Sequence, residues 1–504
     1  MANMLSSAVK RPITRTGIVV LLMMAALAVR LHEIEQPLVT FRAIRHYRSA
    51  MIARDFYYHA TSGITPQAVA VADANRSMQQ AGEPPIMEWL AVALYLVTGG
   101  EHVAIPRTLA ALAWVAGAIP LWCLAMRFGP AGSALVACAF YLFLPFGIVA
   151  SRNFQPDALM TCASLWALLA LVRQHEEPGT GRSRAAIGLV ALALLIKPMS
   201  VFLVLPVAIG LHLTRRGARS YLTLAGFLAA SMLPAALYYG SDALFGNLVK
   251  DQMRMRFVPH LLLSKFFWHG WMIQIQRVFT WPVFLLGLLG VWLAPRVGRA
   301  MLASMWLGYM AFAIAFTYHM PTHDYYHWPF LAAVALGAGA AAGRLERMLA
   351  LRVSPRVAGI AVAAGVLAIA AIGTAAAWPR LHVRGAEAQL AAYRDIGSLT
   401  AHHTRVLFLD LEYGYPLMYH GELSGDAWPN QDDLAAEALG GRALLTARAR
   451  FERDYADFDP RYFVVTDLES LDAQPDLQTL LAERAVVVRR AAGYSVYRFT
   501  SAKP

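Results

Sequence analysis

The sequence predicts a polytopic α-helical membrane protein with about eleven spans and a small C-terminal extracytoplasmic α/β domain. Three observations carry that prediction. The 504 residues are 58% hydrophobic and only 15% charged, with a mean hydropathy of +0.46, which leaves too little polar surface for one or two soluble domains. The arginines gather at the ends of apolar runs, where orientation signals belong, so the net charge of +12 reports topology and argues against nucleic-acid binding. After Trp378-Pro379 the long apolar runs stop and a charged stretch with short apolar strands begins. The three cysteines, Cys123, Cys138 and Cys162, all lie inside apolar segments and form neither a disulfide framework nor a metal motif.

Lys10, Arg11 and Arg15, a short apolar core and Ala26-Leu27-Ala28 have the layout of a signal peptide. The segment reads better as an uncleaved first span, Gly17 to Arg30, because nothing soluble follows it directly and many spans come later. With its basic flank in the cytoplasm, this span delivers FRAIRHYRSAMIARDFYYHA (Phe41 to Ala60), dense in cations and aromatics, to the outer face. Pro84 to Val97, opened by Glu83-Pro84-Pro85, reads as a helix. At about 14 residues it falls short of the roughly 20 needed to span, which suits an interfacial or half-embedded position.

Spans follow at Ile105 to Met126, Ala131 to Ala150 and Ala158 to Val172, and the basic loop RQHEEPGTGRSR (Arg173 to Arg184) lies in the cytoplasm. The apolar run Ala185 to Leu213 is interrupted at Lys197-Pro198 and reads as two short helices. That reading keeps Arg182, Arg184, Arg215, Arg216 and Arg219 on one side. It also puts Lys197 at an outer turn, where a cation is far cheaper than at the bilayer centre. Tyr221 to Tyr239 leads to a long outer loop, Gly240 to about Gln276. Further spans at Trp281 to Ala294, Met301 to Thr317, Tyr326 to Gly343 and Val357 to Ala376 keep Arg296, Arg299, Arg344, Arg347, Arg352 and Arg356 inside. The chain thus divides into a membrane domain over 1–378, with outer loops 31–103 and 240–276, and an outer domain over 379–504. In that last part RVLFLDL (Arg405 to Leu411), YFVVTDL (Tyr462 to Leu468), AVVV and YSVYRF read as strands between Ala- and Leu-rich helical stretches.

The outer face collects the ionisable residues: Glu33 and Glu35, the arginine-rich stretch, Arg152 to Asp157, Lys197, then Lys250, Asp251, Arg254 and Arg256, and HMPTHDYYH (His319 to His327). Taken singly, each has a plain explanation. Ile44, Tyr47, Met51 and Tyr58 share one helical face, as in an interfacial helix with snorkelling arginines. Gln155-Pro156-Asp157 reads equally as a helix start, and Tyr325, Tyr326 and Trp328 as an aromatic belt. His323, Asp324 and His327 have a metal-compatible spacing but lack a fourth ligand in sequence. Together on one face, cations beside a few carboxylates at headgroup depth suit a phosphate-bearing lipid, the cations holding phosphate while a carboxylate handles a proton.

In this order, PLVTFRAIRHYRSAMIAR, EPPIMEWLAVALYLVTGG, NFQPDALM, LLIKP and HDYYHWPF resemble the GT-C membrane glycosyltransferases. Within them the chain is similar to bacterial relatives of the protein O-mannosyltransferases and the lipid A aminoarabinose transferase, glycosyltransferase family 39-like. The resemblance covers the membrane region; the tail matches only in kind. It implies a bacterial inner-membrane, multi-pass enzyme that transfers a hexosyl or pentosyl group from a polyprenyl-phosphate sugar donor to a lipid, polysaccharide or protein acceptor, with inversion. No cofactor is expected, a divalent metal being possible but not favoured. Asp157 matches the family's acid in the second outer loop. Arg45, Arg48, Lys197, Arg254, Arg256, His323, Tyr325 and Tyr326 would hold the donor. The first-loop acid does not carry over: Arg45-His46 stands where relatives have an Asp-Glu pair, and Thr40 where others have Asp. Glu35, and after it His46, are the substitute bases. A non-catalytic lipid-binding or assembly subunit also accommodates the missing acid. A transporter accommodates the data less well, since its ionisable groups belong near the midplane of repeated halves.

The arginine bias makes a direct prediction. A reporter fused after Pro504 is expected to be active only in the periplasm, and one fused at Pro178 only in the cytoplasm; swapped activities would undo these placements.

Overall fold

Apolar helices form a bundle that carries, on one face, a layer of polar helices and a five-stranded sheet. The computed structural model describes residues 15–37, 43–79, 82–214, 218–241, 256–382, 384–439 and 443–500. Eleven helices run from the N-terminal side: α1 (Arg15–Leu31), α2 (Ala43–Ala60), α3 (Pro66–Met78), α4 (Ile86–Thr98), α5 (Ala104–Ala125), α6 (Ala131–Phe143), α7 (Pro145–Ala150), α8 (Asp157–Glu176), α9 (Thr180–Ile196), α10 (Val201–Leu213) and α11 (Ala218–Tyr239). After residues 242–255, which lie outside the described residues, come α12 (Lys265–Val278), α13 (Trp281–Leu293), α14 (Arg296–Ala315), α15 (Leu331–Leu349) and α16 (Pro355–Leu381).

Among the described residues five helices are long and apolar enough to cross a membrane, or six if the bent pair α12 and α13 counts as one span. Shorter apolar helices accompany them, including α1, α4 and α6. The protein is therefore a largely helical polytopic membrane protein. One run read as a single span, Ala131 to Ala150, is broken, and the run Ala185 to Leu213 breaks at Lys197-Pro198 as expected. Leu144, before Pro145, leaves the helical region at φ −58°, ψ 131° and separates α6 from α7. Lys197, before Pro198, is extended at φ −158°, ψ 123° and ends α9. In both places the proline ring disfavours helical backbone in the residue ahead of it.

Two other stretches differ from expectation. The segment read as the end of a long loop contains α12, which buries Phe267, Trp271, Gln274, Ile275 and Val278 and bends by 93° into α13. Phe266, Trp268 and Met272 point outward from it, the two-sided pattern of a helix lying along an interface. Helix α16 continues through Trp378-Pro379 to Leu381.

Two helices of the bundle, α13 and α15, pack backbone to backbone. A Cβ on Gly337 would sit 2.0 Å from the carbonyl oxygen of Gly287, and one on Gly290 would sit 2.0 Å from that of Gly337. Small residues let two apolar helices approach backbone to backbone, and so gain dispersion contacts where burial from water offers no driving force.

The C-terminal sheet has strand order β2-β1-β3-β5-β4. β1 (Val406–Leu409) pairs in parallel with β2 (Gly425–Ala427) and β3 (Tyr462–Val465). β5 (Tyr494–Phe499) runs antiparallel to both β3 and β4 (Ala485–Ala491). β2 went unread in the sequence because Gly-Asp-Ala has no apolar alternation. Strand period sorts the side chains into two faces. Leu407, Leu409, Phe463, Val465 and Tyr497 build a core with Leu477, Leu480 and Leu481. Val406, Phe408, Val464 and Val496 belong instead to the cluster that runs through Leu417 and Tyr419 into the membrane helices.

That second face is covered by α17 (Ala386–Leu399) and α18 (Tyr415–Gly421), and α18 packs on α2. Arg54 lies 3.8 Å over the Tyr419 ring, donates to the Tyr419 carbonyl at 2.7 Å and reaches Glu101 at 2.9 Å. Glu101 also accepts from the Tyr419 hydroxyl. His420 is hydrogen-bonded to Tyr47 at 2.8 Å, and Asn75 donates to the Leu423 carbonyl.

Replacing Gly337 with Val is expected to destabilise the protein by about 1–3 kcal/mol through overpacking, read as a lower melting temperature in detergent. Gly359→Val, where nothing lies within 4 Å of an added Cβ, is expected to leave the melting temperature unchanged.

Candidate functional site

Three chain segments meet at one buried ammonium. Because Pro198 ends α9 one residue early, the extended Lys197 projects between the start of α8 and the residue before Pro84-Pro85. Its Nζ donates to Asp157 Oδ1 at 2.9 Å and Oδ2 at 2.8 Å, and lies 3.8 Å from Glu83 Oε1. Both Lys197 and Asp157 are buried. Asp157 is the first residue of α8, where the helix N-terminus favours an anion. Glu83 is shared a second way, with Arg45 Nη1 at 4.0 Å from its Oε2. Burial would raise the Glu83 carboxyl, but Lys197, Arg45 and Arg48 outweigh it and hold the group down to about 2. Arg45 is held above its ordinary value: burial acts against it, and Tyr325, Glu83, Tyr326 and Asp157 outweigh burial.

Two adjoining cavities open on this cluster and share Arg45, Glu83 and Asp157. Arg48, Glu88 and Gln155 line one of them. Lys197, Arg256, Tyr325 and Tyr326 line the other, with Phe312 beneath. The Arg45 guanidinium lies 5.9 Å from the Tyr325 ring centroid, and that of Arg256 lies 5.9 Å from Phe316, both within cation–π range. Nearby, burial together with His323, Arg256 and Arg45 pushes His319 down to about 3. The site is thus three carboxylates, two of them shared by both cavities, inside a ring of cations and aromatic faces, arranged to take up an anion beside a proton acceptor.

The loop that delivers Asp157 is held by buried arginines bonded to carbonyls. Arg30 donates to Ser151 Oγ at 2.7 Å and to the carbonyls of Leu142 and Ala26. Arg107 donates to the Arg152 carbonyl at 3.1 Å and to Gln36 O at 2.5 Å, and also reaches Ile34 O. Arg152 donates to the carbonyls of His32 at 2.6 Å and Glu33 at 3.0 Å. First-turn residues 32–36 and the Asp157 loop are in this way one rigid piece.

Of the site residues expected from sequence, Asp157, Lys197, Arg45, Arg48, Arg256, Tyr325 and Tyr326 all line these cavities. Arg254 falls outside the described residues. His323 is hydrogen-bonded to Thr322 Oγ1 at 2.6 Å and packs tilted against His319 and edge-on to Tyr325, without lining either cavity. Glu35 is exposed in the turn after α1 and lines neither cavity. His46 is buried, and its Nδ1 accepts from the Phe154 N–H at 3.2 Å. Burial, Arg107 and His420 hold it well below the usual histidine range. It is a neutral imidazole whose lone pair is already engaged, which makes it a strut for the Asp157 loop and not a free base. His327 is buried against Tyr309 and the Met320 carbonyl, so the His323-Asp324-His327 trio does not converge.

The residue that sequence reasoning passed over is Glu83. Its signal was present, an acid directly ahead of Pro-Pro and an apolar helix, but it reads equally as a helix opening. Among the described residues two other groups could chelate a cation: His32, Glu33 and His382, and Asp55, His59 and Asp73.

Residues 82–239, which include Glu83, Asp157 and Lys197, match the family model described as dolichyl-phosphate-mannose-protein mannosyltransferase. No curated protein sequence matches. The fold is similar to the crystal structure of ArnT from Cupriavidus metallidurans in the apo state, at a TM-score of 0.60 and 16% identity over 96% of this chain and 98% of that one. The same protein bound to undecaprenyl phosphate matches at a TM-score of 0.57 and 16% identity, over 97% and 99% of the two chains. The oligosaccharyltransferase of Archaeoglobus fulgidus, in complex with Zn and sulfate, matches at 0.51 and 12% identity over 89% of this chain and 68% of that one.

The cluster itself yields a prediction. Lys197→Met leaves the buried Asp157 and the half-buried Glu83 without their shared cation and is expected to cost about 3–5 kcal/mol of stability. Adding Asp157→Leu is expected to restore much of the loss, a coupling measured by a double-mutant cycle of unfolding free energies in detergent. By fold, the chain is a polytopic membrane protein similar to ArnT from Cupriavidus metallidurans and to the oligosaccharyltransferase of Archaeoglobus fulgidus.

Proposed function

We propose that the protein transfers a sugar from a polyprenyl-phosphate-linked donor to an acceptor at the outer face of the bacterial inner membrane, by a single inverting displacement. The observation that carries this reading is the Lys197-centred cluster, in which two carboxylates and several cations border the same two cavities. The fold similarity to ArnT, solved with undecaprenyl phosphate bound, supports it.

In this scheme the donor phosphate enters among Arg45, Arg48, Lys197 and Arg256, with Tyr325 and Tyr326 beside it. The acceptor hydroxyl attacks the anomeric carbon as the bond from that carbon to the phosphate oxygen breaks. The electron pair leaves with the polyprenyl phosphate, whose added negative charge the cations stabilise. The hydroxyl proton passes to a carboxylate, and we assign that role to Glu83 and Asp157, which border the cavities, ahead of Glu35 and His46, which do not. Glu83 at about 2 is ionised but weakly basic. A phosphate that draws Lys197, Arg45 and Arg48 toward itself weakens the charges that depress Glu83, and so raises its basicity only when donor is in place. With the arginine bias taken as orientation, the N-terminus lies in the cytoplasm and the sheet domain in the periplasm.

Glu83→Gln and Asp157→Asn are expected to lower turnover by roughly 10²–10⁴-fold with binding of undecaprenyl phosphate retained. Arg45→Gln and Arg256→Gln are expected to weaken that binding by on the order of 1.5–3 kcal/mol, and Arg344→Gln to leave it unchanged. The assay is nanodisc binding, paired with transfer from whichever lipid-linked sugar native mass spectrometry finds co-purified. Equal, small effects at every position would sink the proposal. Donor binding without transfer to any acceptor would assign the chain to lipid binding alone.

A further inference from the structure

We propose that His32, Glu33 and His382 form a zinc site that fastens the outer turn of the first span to the end of the last, separate from the Lys197 cluster. His32 Nε2 and His382 Nε2 are 3.0 Å apart, and Glu33 Oε1 lies 3.9 Å from the first and 3.7 Å from the second. Tetrahedral zinc, with ligand bonds of about 2.0–2.2 Å, separates its ligands by about 3.3–3.5 Å, so side-chain adjustments of a few tenths of an ångström bring all three onto one ion. Two imidazoles and a carboxylate are a ligand set zinc accepts, with a fourth position left for water.

The protonation pattern points the same way. His382 donates its Nδ1–H to the Trp378 carbonyl at 3.1 Å. Its Nε2 therefore carries a lone pair, aimed at the equivalent nitrogen of His32. A backbone carbonyl bonded to the far ring nitrogen is the arrangement that orients a metal-binding histidine and sets its tautomer. Trp378 flanks both rings, stacking on His32 at 4.8 Å and lying 4.5 Å from His382. Gln36 Nε2 donates to Glu33 Oε2, leaving Oε1 toward the histidines. The turn is also fixed from behind, because Arg152 holds the carbonyls of His32 and Glu33. Glu33 keeps a left-handed φ of 47°, a conformation costly for a residue with a side chain. All three side chains are a quarter to two-fifths exposed, so an ion can reach them. The second candidate group, Asp55, His59 and Asp73, has one histidine and two exposed members, and no carbonyl-fixed ring.

The test uses full-length protein in detergent, purified without a histidine tag, stripped with chelator and titrated with Co²⁺ and then Zn²⁺. Expected are one Co²⁺ per chain with the visible absorption of a four-coordinate ion, its displacement by Zn²⁺, and a rise in melting temperature with either metal. His32→Ala and His382→Ala are each expected to weaken binding at least tenfold, while His59→Ala does not. Absorption-edge fine structure of the wild-type zinc form, with two imidazoles in the first shell, decides the matter if either variant fails to fold. No stoichiometric Co²⁺ uptake by the wild type, or uptake lost with His59→Ala and kept with His32→Ala, overturns the proposal.

Discussion

One buried ammonium organises the functional face. Lys197 is the point at which the Glu83 turn, the start of α8 and the end of α9 are held together, and none of the three groups would be tolerable alone at that depth. A buried carboxylate without a cation, or a buried cation without a carboxylate, would change protonation state or admit water. Because the charges compensate one another, the bundle keeps ionised groups beside apolar walls. The two cavities exist between the members of that cluster, and so their shape follows from the same ion pairs.

Around this centre the protein uses main-chain carbonyls where a soluble enzyme would use acids. Arg30, Arg107 and Arg152 are satisfied mainly by carbonyl oxygens of helix ends and turns. Helix termini leave such oxygens unpaired, and a guanidinium can take several at once. The Asp157 loop thereby gains rigidity without bringing further negative charge toward an anion-binding site. Helix α2 is held from the other side by Arg54, Tyr47 and α18, which leaves Arg45 and Arg48 on its remaining face for the cavities.

Much of the fold was legible in the sequence because it follows from local rules. The break at Lys197-Pro198, the short helix after Glu83-Pro84-Pro85 and the strands around Val406, Tyr462 and Tyr494 all come from proline geometry or apolar period. The candidate site was legible in its cations, since arginines beside tyrosines stand out in an apolar chain. Its acids were less so. Glu83 acquires meaning only from Lys197, which lies far along the chain, and His46 looks like a base until its lone pair is seen on the Phe154 N–H. Strand β2 and helix α12 escaped for the opposite reason: three small or polar residues in one, and an apolar stretch too mixed for a span in the other, owe their form to tertiary neighbours.

The apolar cluster that passes from the membrane helices through Tyr47 and Tyr419 to Val406 and Val496 has no break at the end of α16. The sheet thus shares one of its two faces with the membrane helices, while the other keeps a core of its own. That shared face is complete only where α18 meets α2, so the sheet's assembly depends on a helix made much earlier in synthesis. Loss of the late-made tail would remove α18 from α2, and with it the contacts that Arg54, Glu101 and Tyr47 make to Tyr419 and His420.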